Sequence, residues 1–116
     1  MGLGYRRSAG LVRRFLVVED SMRPTLHPGD GLLAVRGGGP PGQLRVFRDP
    51  WSSSRWLVKR VGAVAGRGRA ATFEGRSDNP GGPRVMDSRE FGWVPSAGSY
   101  RVVWTVPAYE PAGGLS

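Results

Sequence analysis

Cysteine is absent from the 116 residues, which excludes disulfide scaffolds, zinc–thiolate centres, iron–sulfur clusters and thiol nucleophiles. Histidine is nearly absent. The single His27 excludes multi-histidine metal sites and any Ser-His-Asp triad that does not use it. Long apolar runs are missing as well. The longest near the N-terminus, Phe15-Leu16-Val17-Val18, falls far short of the roughly 20 residues a membrane span requires. The basic stretch before it, with Arg6, Arg7, Arg13 and Arg14, has no h-region of useful length. The expectation is a cytoplasmic protein whose basic N-terminus makes at most peripheral contact with an anionic membrane. Lysine is the most informative scarcity: of seventeen basic residues only Lys59 is not arginine. A GC-rich genome accounts for the arginines but not for the exception. Lysine, unlike arginine, can lose its proton when buried, so Lys59 is a candidate for work arginine cannot do.

What is abundant is glycine and proline, nineteen and ten residues, together a quarter of the chain. That composition points to turns and short strands rather than long helices. Net charge +8 points to an anionic partner. The length suits one domain. Residues 1–14 read as a basic lead-in, 15–106 as the folded domain and 107–116 as a frayed tail. Strands are expected at Phe15–Val18, Gly31–Val35, Leu44–Arg48, Trp56–Val64, Ala71–Glu74 and Tyr100–Val106, with a long polar loop over Arg76–Asp87. No repeat and no sustained helical period is present. The expected fold class is mostly β, a compact barrel or sandwich of short strands with no transmembrane helix.

Three segments carry candidate chemistry. In Ser21-Met22-Arg23-Pro24-Thr25-Leu26, followed by Pro28-Gly29-Asp30, a serine ends an apolar strand and a proline stiffens the turn. Such a turn can aim Oγ and its own N–H in one direction, although an isolated S-x-x-P ordinarily only reverses the chain. In Leu57-Val58-Lys59-Arg60-Val61, period-two alternation places Lys59 on one face with Leu57 and Val61. The ordinary alternative is an exposed strand lysine whose stem covers apolar surface. In Asp78-Asn79 and Asp87-Ser88-Arg89-Glu90-Phe91-Gly92-Trp93-Val94, acidic and basic residues cluster as they also do in solvated turns.

Taken together and in this order, the three boxes resemble the signal peptidase I family of serine endopeptidases. The S-M-x-P-T-L box with its P-G-D matches Ser21–Leu26 and Pro28–Asp30. The K-R-V box matches Lys59–Val61, and the D-N … D-S-R-x-x-G-x-V box matches Asp78, Asn79 and Asp87–Val94. The resemblance covers residues 16–104. It implies a signal-peptidase-like β fold and a Ser-Lys dyad, with Ser21 the nucleophile and first oxyanion donor and Lys59 the general base. It needs no cofactor and no metal. Asp87 and Arg89, buried together, would hold the loop over the lysine, with Ser88 beside them. His27 would be a bystander. The D-S-M form of the serine box looks most like the soluble subgroup that matures nickel-type superoxide dismutase. The implied partner is therefore a protein precursor, whose N-terminal leader is removed, with no nucleic acid expected.

The chemistry stands on its own. A serine hydroxyl needs a base within hydrogen-bond reach, and a lysine can serve once burial lowers its pKa from about 10.4. Such pairs are a convergent variant of the triad logic. Some positions depart from the family pattern. The serine that helps orient the lysine is replaced by Val85, so Ser77 or Ser88 would substitute, or nothing does. Glu19 stands where a glycine is expected before the nucleophile, and Ser77 where one precedes Asp78. These changes bear on efficiency and leave a weakly active, degenerate member as an alternative. Two further readings compete. One is a repressor-type self-cleaving protease, which usually carries an upstream DNA-binding domain and linker. The other is a basic β-barrel that binds nucleic acid through Arg67, Arg69, Arg76 and exposed aromatics.

Overall fold

The computed structural model describes residues 11–82 and 86–108. The basic lead-in up to residue 10, Val85 and most of the expected tail lie outside the described residues. Seven strands form one antiparallel sheet: β1 (Val12–Leu16), β2 (Gly31–Arg36), β3 (Leu44–Asp49), β4 (Ser52–Ala65), β5 (Thr72–Arg76), β6 (Val94–Pro95) and β7 (Tyr100–Val106). Their order across the sheet is β1-β2-β7-β3-β4-β5-β6. A 3-10 turn at Gly68–Ala70 and one short helix, α1 (Ser88–Phe91), complete the regular elements. No described helix is long and apolar enough to cross a membrane.

The mostly-β class therefore holds, and β7 occupies the residues expected of it. The first strand starts three residues early, at Val12, because arginine on an edge strand is no obstacle. The Arg13 guanidinium lies over the rings of Phe15, Trp56 and Tyr100 at 5.6, 5.1 and 5.9 Å. That strand also ends early. Val17 leaves the ladder and bonds to the His27–Asp30 turn, donating to the Asp30 carbonyl (2.8 Å) and accepting from Gly29 N–H (2.6 Å).

The middle of the central pair β3–β4 packs apolar side chains on both faces. On one face Val46 joins Leu32, Ala34, Met22, Leu26 and Tyr100, with Trp56 and Val58 packed alongside. On the other face Phe47, Leu57 and Val61 meet Phe73 and Val94. Burying one such side chain contributes roughly 1.5–3 kcal/mol, so these two small cores hold the sheet in its curl.

Candidate functional site

Lys59 faces the second core. Along β4 the odd residues Leu57, Lys59 and Val61 are 8, 2 and 3% exposed, while their even neighbours are half-buried. The alternation read from the sequence is thus the observed one. Opposite the lysine stem, Gly75 of β5 approaches so closely that a Cβ there would lie 3.3 Å from Lys59 Cβ and 3.2 Å from Phe47 Cζ. Only glycine lets β5 close over the stem without displacing a neighbour. At the head, Lys59 Nζ donates to Ser77 Oγ at 2.9 Å. No salt bridge holds Lys59 among the described residues. Burial pushes its pKa down from 10.5 to about 8, opposed by the negative charges of Asp87, Glu19 and Glu90 and aided by Arg55.

Ser21 sits in the turn that follows β1 and is 7% exposed. The turn is anchored from beneath by Met22 and Leu26, each 1% exposed, and closed by Leu26 N–H donating to the Met22 carbonyl at 2.8 Å. Three residues after β5, Ser77-Asp78-Asn79, tie this turn to the lysine. Asn79 donates from its backbone to the Ser21 carbonyl (2.8 Å) and from its side chain to the Asp20 carbonyl (3.1 Å). Asp78 N–H points at Met22 Sδ (3.4 Å). Ser21 and Lys59 are therefore brought to one three-residue segment, without a direct hydrogen bond between them. Among the described residues, no hydrogen bond occupies the Ser21 hydroxyl or its N–H, so both are free for a ligand.

A second fastener is Asp78 itself. Its two carboxylate oxygens take Arg60 Nε (2.9 Å) and Nη2 (2.7 Å), and Thr25 Oγ1 donates to it at 2.6 Å. Those hydrogen bonds, Arg60 first, hold its carboxyl below the usual range. Arg60 also donates to the Gly42 carbonyl at 2.8 Å. Arg60, next to Lys59, and Thr25, four residues beyond Ser21, are thus locked to one carboxylate.

Asp87 is buried (2% exposed) and acts through the backbone. Its Oδ2 accepts from Ser77 N–H (2.9 Å) and its Oδ1 from Arg89 N–H (3.0 Å). Burial alone would raise its pKa, but these donors and the Arg89 guanidinium outweigh burial and hold it below the ordinary value. Asp87 also caps α1, with the Glu90 side chain accepting from Asp87 N–H at 2.9 Å. The expectation that Asp87 and Arg89 are buried together is corrected. The Arg89 side chain is 59% exposed, because it sits on the outer face of the one-turn helix and curls back to its own cap at 3.1 Å. Ser88 supports β5, accepting from Gly75 N–H at 2.8 Å, and does not reach the lysine. Of the two serines considered as substitutes, Ser77 is the one that meets Lys59 Nζ; Val85 lies outside the described residues. His27 is half exposed and meets Asp30 across the turn.

A cleft of about 440 Å³ opens beside Ser21, lined on one side by Phe15–Glu19 and on the other by Arg55–Val58. It runs between two unpaired strand edges. β1 pairs with β2 alone, and β4 is paired to β5 only along Arg60–Ala65, which leaves its earlier residues without a strand on that side. The ion pair of Glu19 with Arg55 crosses the cleft. Arg76, one of the residues considered for nucleic acid, is paired with Glu74 at 3.1 Å.

No known family, curated protein or solved structure matches the chain. The geometry of the site is what a functional reading rests on.

Proposed function

We propose that the protein is a serine endopeptidase in which Ser21 is the nucleophile and Lys59 the general base, acting on the N-terminal leader of a protein precursor. The observation that carries this reading is the lysine: 2% exposed, held by a hydroxyl, and with no carboxylate bonded to its ammonium. A lysine kept only for structure would snorkel or pair, since burying a charge without a partner is strongly unfavourable. A buried amine with a pKa near 8 is instead substantially neutral at mildly alkaline pH, as a base must be.

In the proposed reaction the substrate lies extended in the cleft and adds a strand between the free edges of β1 and β4. Neutral Lys59 Nζ takes the Ser21 proton while Oγ bonds to the scissile carbonyl carbon. The developing oxyanion is met by the Ser21 N–H, an interaction worth roughly 3–4 kcal/mol per donor. Lysinium then protonates the leaving amine and the C–N bond breaks. Water attacks the resulting ester with Lys59 again as base, which frees Ser21 and the leader acid. Ser77 keeps Nζ aimed, and Asp87 keeps Ser77 in place through its N–H.

The substrate class follows from the resemblance to the maturation proteases, with the nickel superoxide dismutase precursor as the specific candidate. Incubation with that precursor, followed by mass measurement of the products, is the test. Ser21→Ala and Lys59→Arg each abolish cleavage with the fold retained. Wild-type cleavage by Lys59→Arg, which keeps the charge but cannot lose the proton, would remove Lys59 from the mechanism.

A further inference from the structure

At the far end of the first core the rings of Phe15, Trp56 and Tyr100 form a triad, with centroids 5.2, 5.9 and 5.9 Å apart. Three guanidiniums cover it. Arg48 lies 4.4 Å over Trp56, Arg36 5.5 Å over Tyr100, and Arg13 contacts all three rings. They border a cavity of about 420 Å³ whose one acidic side chain is Asp49. That residue is 4% exposed, its carboxylate accepts from Trp51 N–H at 2.8 Å, and it forms no ion pair with the three among the described residues. Five described arginines, Arg23, Arg55, Arg60, Arg76 and Arg89, form ion pairs, while others such as Arg14, Arg67, Arg69 and Arg101 do not; what sets the next three apart is that they converge on one cavity. Arg13, Arg36 and Arg48 form none among the described residues. Stacking uses a guanidinium's face and leaves its in-plane N–H donors directed outward. Arg48 commits one of these to the Ser53 carbonyl at 2.7 Å.

This cavity adjoins the cleft beside Ser21: Arg13 and Trp56 line both. We propose that it is an exosite for acidic side chains of the peptide substrate, an inference that rests on the peptidase reading. An extended chain advances about 3.3 Å per residue, so a peptide following β1 from Val17 to Arg13 meets the first guanidinium roughly four residues beyond the reacting bond. Aspartate or glutamate at about four to six residues from that bond supplies the counter-charge that the pocket lacks. The carboxylate accepts bidentate N–H bonds at a guanidinium edge while the peptide's apolar neighbours cover the ring triad. Specificity then comes from two places: the strand edges near Ser21 fix register, and the arginine pocket selects the leader.

The test uses the full chain carrying Ser21→Ala, titrated through tryptophan fluorescence with two peptides. One has glutamates four to six residues from the candidate bond, placed in turn on either side, and its counterpart has glutamine at the same positions. The glutamate peptide is expected to bind at least about fivefold more tightly at low salt, with the difference shrinking as salt rises. In Arg36→Gln/Arg48→Gln the glutamate-to-glutamine ratio falls to near one. Arg36→Gln alone, at the rim of the triad, reduces the ratio if the double variant does not fold. Equal affinity of the two peptides, a ratio unchanged in the variants, or tighter binding of a single-stranded oligonucleotide of equal charge would overturn the exosite. Because the readout is binding, it is independent of hydrolysis. Failure of the wild-type protein to cut either peptide would count against the peptidase reading alone.

Discussion

Replacing Lys59 by methionine should make the protein more stable while destroying its activity. The magnitude follows from the burial of the ammonium. A pKa brought from 10.5 to about 8 corresponds to about 3 kcal/mol of unfavourable free energy for carrying the charge in the folded state at neutral pH. Methionine has a similar length and no charge, so it removes that term. It also gives up the hydrogen bond from Nζ to Ser77 Oγ, worth about 1 kcal/mol. The balance is about 2 kcal/mol in favour of the variant, or roughly 5–10 °C in Tm for a chain of this size. The sign can be checked by pH. Between about 8 and 10.5 the unfolded chain binds a proton that the folded one has lost, so wild-type stability rises with pH through that window. The advantage of methionine is therefore full below pH 8 and gone above 10.5. Urea titrations of both proteins at pH 7 and pH 10 measure it. A variant no more stable than wild type at pH 7, or an advantage equal at both pH values, would show that the lysine is not carried at an energetic penalty.

Other consequences concern the parts that hold the pair. Ser77→Ala leaves Nζ without its acceptor and should lower kcat about tenfold with KM little changed. Ser77→Thr, which keeps the hydroxyl, restores most of it. Asp78→Asn breaks the bidentate bond to Arg60 and should cost about 1–3 kcal/mol in a urea titration. Because the carboxyl is held below its usual value, the wild-type contribution is complete above about pH 4 and is lost as pH falls further. Gly75→Val must push against Lys59 Cβ and Phe47. It should reduce cleavage more than tenfold and lower Tm, whereas Gly81→Ala, with open space around it, should do neither.

Much of this arrangement could be read from the chain. Reading Trp56–Val64 as a strand puts Lys59 on one face with Leu57 and Val61, against the ordinary alternative of an exposed lysine, and burial of all three decides for the shared buried face. The apolar runs of β2, β3 and β7 were legible as strands too. The short elements were not, since a two-residue strand such as β6 has no period. The helix at Ser88–Phe91 did leave a signal, Asp87 followed three residues on by Glu90, a capping box in a stretch whose charges also suit a solvated turn. The resemblance leaves both Ser77 and Ser88 open as the lysine's partner; the choice between them, like Asp78 as the clamp on Arg60, depends on contacts eighteen residues apart. Local pattern cannot supply those, because they exist only once β5 has paired with β4. Arg89 misled for a related reason. Its nearness to Asp87 in sequence suggested a shared buried pair, while a one-turn helix turns the longer side chain outward.

The claim on which the proposed chemistry turns is that Lys59 takes the proton from Ser21. The most direct measurement is the rate at which an activated ester acylates Ser21, followed by mass spectrometry from pH 6 to 10 in the wild type and in Lys59→Arg. The expected result is a single adduct on Ser21 whose rate rises with an apparent pKa near 8, and its loss in the arginine variant. No adduct on Ser21, or equal rates in the two proteins across the range, would contradict it.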